Sequence, residues 1–339
     1  MQTMIIIKTA TNQSATDAIF RLLRRYLIFN ARCCKRPLLA MTVIICCFSC
    51  SSRKEVYMFT SFHEPATAGL RMLYSNDAYK WTDLDTVLLR PHVGSKVMRD
   101  PSIVRGPDGT FHLVWTSGWN TDKGFGYASS KDLIHWSQQQ FIPVMEHEPE
   151  TVNVWAPELF YDDVNKQFII IWASTIPFRF PKGQEEERNN HRMYYTVTKD
   201  FKTFSPAKLF LDPGFSVIDC VIVKRGPEDY VLVLKDNTRP NRNIKVAFGK
   251  TALGPYENIS EPVTGNFTEG PTVVKTGNEW LIYYDAYRDK KYDALRTKDF
   301  KTFENIANSV SIPEGHKHGT IFMADKKIFK ALKKNFSIK

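Results

Sequence analysis

The chain has 339 residues, enough for one large β or α/β domain or for two ordinary ones. Aromatic residues make up 13%, charged residues 24%, and the formal net charge is +10. Residues 1–50 hold seven Lys/Arg against one acid, Asp17, leaving 39 basic and 35 acidic residues beyond position 50 and no case for nucleic acid or another polyanion as partner.

The first segment reads as a leader. Arg32, Lys35 and Arg36 precede the apolar run 38–48, which ends at Ser49-Cys50. Such a run is too short to span a bilayer and suits a signal-peptide core. A Cys closing that core resembles a bacterial lipoprotein signal, although Cys47 stands where an aliphatic residue is usual. The expectation is a lipidated Cys50 and a protein of the periplasm or cell surface that meets the membrane only through this anchor. Ordinary secretion with cleavage nearby is the alternative. Residues 1–31 have no role in a signal and suggest a misassigned start. Five of the six cysteines lie in the leader, so Cys220 can form neither a disulfide within the body nor a cysteine-based metal site.

From Val56 onward, short β-rich runs alternate with turn signals, and no helical period is sustained. One phrase recurs: YSNDAYKW (74–81), SSKDLIHW (129–136), VTKDFKTF (197–204) and RTKDFKTF (296–303). A weaker relative, GKTALGPYE (249–257), fills the gap before the last copy. Five copies with several strands each predict an all-β, five-bladed β-propeller over 54–339. HGTIFMAD (318–325) is expected to pair with VYMFTSF (56–62), so that N- and C-terminal strands close the ring in one blade. The stretch GQEEERNNHR (183–192) reads as a solvated loop.

Each unit opens with an apolar strand, a turn and a second apolar strand. In KVMRDPSIVRGPDG (96–109) the strand opens on Asp100-Pro101, residues that strand interiors disfavour. Asp100 lies 11 residues before Phe111, Asp219 11 before Tyr230 and Glu269 11 before Trp280. The spacing predicts three carboxylates at one blade position, the entrance of the innermost strand, facing one another across the channel. A single such Asp would read as a strand-end cap. Three in matched register point to chemistry that needs split pKa values, as glycosidic hydrolysis does.

The middle blade opens with VWAPELFYDD (154–163), which offers Trp155 as a sugar-stacking platform. Glu158, one or two residues deeper, is expected to bond either the sugar or the channel. In EGHKHGTIF (314–322), His316 and His318 at i, i+2 share a strand face, with no third metal ligand implied. His318 is the one expected on the channel axis. Phe178, Arg179 and Phe180, after WAST (172–175), either shape the sugar pocket or simply pack.

These pieces together resemble glycoside hydrolase family 43, five-bladed propellers that hydrolyse with inversion. The ordered set is Arg-Asp-Pro-Ser at 99–102, Trp-Ala-Pro-Glu at 155–158, Ile-Asp at 218–219, Glu-Gly-Pro at 269–271 and His-Gly-Thr at 318–320. The resemblance implies Asp100 as general base, Glu269 as general acid and Asp219 as the group that tunes and orients the acid. It implies Arg99, Trp155, Glu158 and His318 as substrate contacts, and no required cofactor. His318 matches a histidine that ligates a central structural calcium in many members. Cys220 stands where a Pro often follows the second Asp, and Glu158 replaces an Asp. An inverting pair is expected about 6.5–9.5 Å apart. The related retaining fructan hydrolases need an Asn-Asp-Pro and a Glu-Cys pair, which are lacking.

The expected activity is exo-acting release of arabinofuranose or β-xylose from plant-type polysaccharide side chains by a monomer, with β-galactose as the alternative sugar. A non-catalytic glycan-binding propeller is the competing class, against which the acid trio argues. A protein-docking propeller would not need convergent channel acids.

Overall fold

The computed structural model describes residues 54–338; the leader and Cys50 lie outside the described residues. Twenty strands form five antiparallel four-stranded sheets. Blade 1 contains β1 (Glu55–Ser61), β2 (Arg71–Ser75), β3 (Thr82–Asp83) and, innermost, β20 (Ile321–Asp325). Blade 2 runs from β4 (Arg99–Arg105) through β5 (Phe111–Thr116) and β6 (Phe125–Ser130) to β7 (Gln140–Ile142). Blade 3 comprises β8 (Trp155–Asp162), β9 (Gln167–Ser174), β10 (Arg192–Thr198) and β11 (Lys208–Leu211). Blade 4 comprises β12 (Val217–Gly226), β13 (Asp229–Asp236), β14 (Asn243–Gly249) and β15 (Tyr256–Glu257). Blade 5 comprises β16 (Glu269–Thr276), β17 (Glu279–Ala286), β18 (Lys291–Thr297) and β19 (Glu304–Asn305).

The ring closes as expected. β20 pairs antiparallel with β1, from Glu55 opposite Asp325 to Phe59 opposite Ile321. This couples the two ends of the folded body inside one sheet.

The second strands are mostly apolar along their middles because each sheet is covered on both faces by its neighbours. Period-two alternation then selects the neighbour rather than core against solvent. Ile169 and Ile171 pack with Leu232 and Leu234 of blade 4, while Ile170 and Trp172 pack with Val114 and Tyr127 of blade 2. Val231 and Val233 face Ile282 of blade 5 in the same way.

The recurring phrase is the turn into the outermost strand. In its four strong copies a Ser or Thr oxygen and the Asp Oδ1 accept successive backbone N–H groups. Asp77 takes those of Tyr79 and Lys80, and Asp299 takes those of Lys301 and Thr302. The residue after each Asp adopts positive φ: Ala78, Leu133, Phe201 and Phe300. These local bonds explain why Asp, and the small polar residue two positions before it, repeat.

One element was not expected. Lys326–Asn335 is an α-helix, and its Leu332 is buried on the blade 1 core with Phe329 against Tyr74. Its large apolar residues fall at 328, 329 and 332, with Phe336 just past its end, a helical pattern too short to stand out in a β-rich chain. Among the described residues, no helix is long and apolar enough to cross a membrane.

Candidate active site

Four innermost strands carry the same irregularity. Register shifts fall between Arg99 and Ser102, Trp155 and Glu158, Ile218 and Val221, and Glu269 and Thr272. In each, the second residue is left-handed: Asp100 at φ 48°, Ala156 at 46°, Asp219 at 52° and Gly270 at 56°. Such bulges turn side chains away from the pleat and recur next to active sites. Cys220 occupies the bulge position held by Pro101, Pro157 and Pro271, and the bulge survives without the proline.

The register corrects one expectation. Asp100 and Asp219 are equivalent, but Glu269 sits one residue earlier, beside Arg99, Trp155 and Ile218. Arg105 pairs with Phe111 and Lys224 with Tyr230, whereas Lys275 pairs with Trp280, so the blade 5 hairpin is one residue shorter. Equal spacings of 11 therefore conceal a shifted acid. The position equivalent to Asp100 in blade 5 is Gly270, where a Cβ would stand 2.6 Å from the His318 ring.

The three acids nevertheless line one cavity of about 240 Å³, together with Arg99, Trp119, Trp155, Lys235, Arg242 and His318. Asp100 accepts the Thr116 hydroxyl at 2.9 Å, and its Oδ1 lies 3.4 Å from His318 Nδ1. Burial raises the Asp100 carboxyl, but the hydrogen bond and charge of His318, the Arg99 charge and the Thr116 hydroxyl prevail, leaving it below the usual aspartate range. For His318, burial opposes the charged ring, yet the carboxylates of Asp219, Asp100 and Glu158 lift its pKa to about 9.

Asp219 Oδ2 accepts the Gly270 amide at 3.0 Å, which ties blade 4 to the residue following Glu269. Burial, with Glu269 and Asp100 close by, raises Asp219 despite the cations His318 and Lys235. Glu269 is held the other way. Burial raises it, but Lys235, bonded to Oε2 at 2.8 Å, brings it below the usual glutamate range. Of the three cavity carboxyls, Asp219 is thus the one pushed up, while Asp100 and Glu269 are held below their usual ranges.

One wall is aromatic. Trp119 and Trp155 have centroids 5.0 Å apart, and Trp155 Nε1 donates to the Trp119 carbonyl at 2.5 Å. The Arg99 guanidinium lies 4.3 Å over Trp119 and pairs with Glu64 at 2.5 Å.

The sequence matches the glycoside hydrolase 43-related family, described as a probable glycosyl hydrolase domain, over residues 53–327. The chain belongs to this family. Among solved structures, the chain is similar to an α-L-arabinanase of Cellvibrio cellulosa complexed with arabinohexaose, with 14% identity, a TM-score of 0.54, and coverage of 72% of this chain and 88% of the other. A thermostable family-43 glycoside hydrolase shares 15% identity at a TM-score of 0.52, covering 65% of this chain and 78% of the other. These two likenesses concern the fold. An α-L-arabinofuranosidase of Bifidobacterium longum subsp. longum is 23% identical over 150 residues, which are 38% of this chain and 14% of that protein's length.

Arg99, Trp155 and His318 reach the cavity, but Glu158 does not line it. Glu158 is buried, its Oε2 accepts the Thr320 hydroxyl at 3.2 Å, and burial lifts its pKa to about 7. The bulge explains its depth: Glu158 resumes the ladder opposite Ile171, beyond the register shift. Phe178, Arg179 and Phe180 also stay outside the cavity lining. Phe178 is exposed, Arg179 binds Glu148 at 2.6 Å and Phe180 underlies the Arg192 guanidinium. His316 and His318 diverge, because the chain bends at His318 rather than continuing as a strand.

A calcium at His318 fits these residues poorly. Calcium takes six to eight oxygen ligands, and His318 brings a nitrogen already set against Asp100. Among the described residues, no three His, Cys, Asp or Glu ligand atoms converge on it.

Sequence reasoning missed Lys235, Thr116, Trp119 and Arg242. Lys235 and Thr116 pair directly with Ile218 and Arg99, at the ends of second strands. A lysine closing the apolar run in DYVLVLKD was the available signal, since a buried lysine needs a partner. Trp119 and Arg242 lie on loops and carried none.

Proposed function

We propose that the protein is an exo-acting, inverting glycosidase that releases terminal arabinofuranose or xylose from plant-type polysaccharide side chains. The carrying observation is one small cavity lined by Asp100, with His318 and Arg99 beside it, and by Glu269 from a different blade, next to a tryptophan wall. A cavity of about 240 Å³ lies below the usual range for drug-sized ligands and suits one terminal sugar. The Bifidobacterium arabinofuranosidase and the Cellvibrio arabinanase both support arabinose as the sugar.

In this reading Asp100 takes a proton from water, and the water oxygen forms the new bond to the anomeric carbon. The glycosidic C–O bond breaks, and the leaving oxygen takes a proton from Glu269, which the free site holds below the usual glutamate range and which therefore has to take up that proton from solvent as substrate binds. His318 and Arg99 hold Asp100 ionised so that it enters the reaction as a base. Asp219 fixes Gly270 and through it the backbone of Glu269. Trp155 supplies the stacking face.

Asp219 is a second candidate for the acid, because its environment retains the proton. Glu269 is preferred on reach: about a third of its side chain is exposed to the cavity, at 36%, whereas Asp219 is 7% exposed and tied to Gly270.

The test is release of aryl arabinofuranoside, xyloside and galactoside by the parent, Asp100→Asn and Glu269→Gln, with NMR of the first-formed anomer. Inverted sugar from the parent, loss of release in Asp100→Asn and a smaller loss in Glu269→Gln, whose aryl leaving group needs little acid assistance, are expected. Glycan binding without release by the parent would make the protein a binding propeller, and a retained anomer would end the inverting reading. We further propose that Cys50 anchors the enzyme to a bacterial membrane; Cys50→Ser should move it from the membrane fraction to the soluble one.

A further inference from the structure

The two histidines of the closing segment serve different places. His316 turns away from the cavity toward the junction where the ring is closed. There it meets His63, two residues beyond β1, and Asp83, at the end of β3. One ligand atom from each lies within 4.8 Å of the other two. Two imidazoles and one carboxylate are a donor set for a borderline divalent metal, zinc above all, rather than for calcium.

The orientation of each group suits ligation. His316 is 4% exposed, and its Nδ1 shares a hydrogen bond of 2.6 Å with Ser61 Oγ. A metal-ligating histidine fixes its second nitrogen in this manner. Its Nε2 points to Asp83 Oδ2 at 3.1 Å but makes no hydrogen bond, and the buried Nε2 of His63 has none either. Asp83 is itself held, its Oδ1 accepting the Asp85 amide at 2.9 Å, which leaves Oδ2 turned inward. The two rings meet edge to face with centroids 4.4 Å apart.

A simple His–Asp ion pair explains this less well. It would align the Nε2–H with the carboxylate, and it would leave the buried His63 nitrogen without purpose. Arg71 is the opposing charge nearby, acting on both His63 and Asp83. Two imidazoles and one carboxylate still offer a cation one donor atom each.

We propose that His63, Asp83 and His316 bind a zinc ion that staples the closing blade. The site joins the end of β1, the end of β3 and the segment leading into β20, so one ion would tie both ends of the folded body together. Tetrahedral zinc needs ligand atoms about 3.3 Å apart, so a shift of His63, on its half-buried loop, closes the set around the ion. A solvent-facing cavity lined by His63, Glu64, Glu314 and His316 offers the path for the ion and for a water as fourth ligand.

The experiment uses the full chain, stripped with a chelator, dialysed and titrated with ZnCl2, with uptake measured by elemental analysis and Tm recorded in parallel. One equivalent bound and a rise in Tm are expected. His63→Gln, on the half-buried loop, should fold and weaken binding at least a hundredfold, and Asp83→Asn should do the same. Co2+ in place of zinc should give visible d–d bands without a thiolate charge-transfer band. Uptake that survives both substitutions, or that shows the thiolate band, belongs to the cysteines of residues 1–50 and overturns the proposal. Absence of stoichiometric uptake overturns it too, as does uptake abolished by His318→Gln but not by His63→Gln.

Discussion

Lys235 Nζ stands 2.8 Å from Glu269 Oε2, with only 3% of the lysine side chain exposed. A buried ammonium beside the proposed acid favours the anionic form, and the Glu269 pKa falls accordingly, against the opposing effect of burial. Removing the ammonium by Lys235→Met should raise the Glu269 pKa. The alkaline limb of kcat/KM should then move to higher pH, because the protonated acid persists further up the scale. Leaving the carboxylate without its partner should also cost roughly 1–3 kcal/mol of stability, read by denaturant unfolding. An alkaline limb that stays in place would separate Lys235 from the acid step.

Asp219 and Glu269 can be told apart by the leaving group. General-acid assistance matters most when the departing oxygen is basic and least for a nitrophenolate. Glu269→Gln should therefore lose about 100- to 10,000-fold on an alkyl glycoside while keeping much more of its rate on a nitrophenyl glycoside. Asp219→Asn should slow both substrates by similar factors, since it loosens the Gly270 backbone rather than removing the proton. If the selective loss instead follows Asp219→Asn, the acid role passes to Asp219.

Much of this arrangement was legible in the sequence because the propeller repeats its local hydrogen bonding. The Ser/Thr-x-Asp turns that end at Asp77, Asp132, Asp200 and Asp299 need those residue types, so four blades could be read from them and the fifth from the weaker copy GKTALGPYE. Asp100 and Asp219 were legible for a related reason: left-handed bulges on innermost strands favour Asp and Gly. Glu269 was found in the right strand but the wrong register, because hairpin length and bulge position compensate within the same spacing of 11. Lys235, Trp119 and Arg242 reach the site from strand ends and loops, where no local period constrains the residue. The His63–Asp83–His316 cluster joins residues more than 200 positions apart, and no spacing rule brings them together.

Glu158 provides a test of the channel rather than of the chemistry. Burial raises its pKa from 4.5 to about 7, against the Ser102 and Thr320 hydrogen bonds and the His318 charge. A carboxyl whose folded pKa is raised loses stability as pH climbs from its unfolded value through the folded one. The penalty is absent below about pH 4.5 and complete above about pH 7, where it reaches roughly 3 kcal/mol. Glu158→Gln, which keeps the shape and the Thr320 contact, should gain Tm relative to the parent as pH rises from 5 to 8. A difference that is flat with pH would show that Glu158 is ionised throughout, paired with His318.

Trp155 carries the last prediction. It borders the cavity, stands 5.0 Å from Trp119 between ring centroids, and donates its indole N–H to the Trp119 carbonyl. Two functions are combined there, a face for the sugar and a brace for its exposed neighbour. Trp155→Phe keeps a face and removes the brace, whereas Trp155→Ala removes both. If stacking carries the binding, Trp155→Phe should stay within about threefold of the parent, while Trp155→Ala should lose about 10- to 100-fold in kcat/KM, or about 1.4–2.8 kcal/mol. The loss should fall mainly on KM, since a face that holds the sugar equally before and during the reaction contributes uniform binding. Equal losses in both variants would make the brace decisive and would assign the sugar face to Trp119.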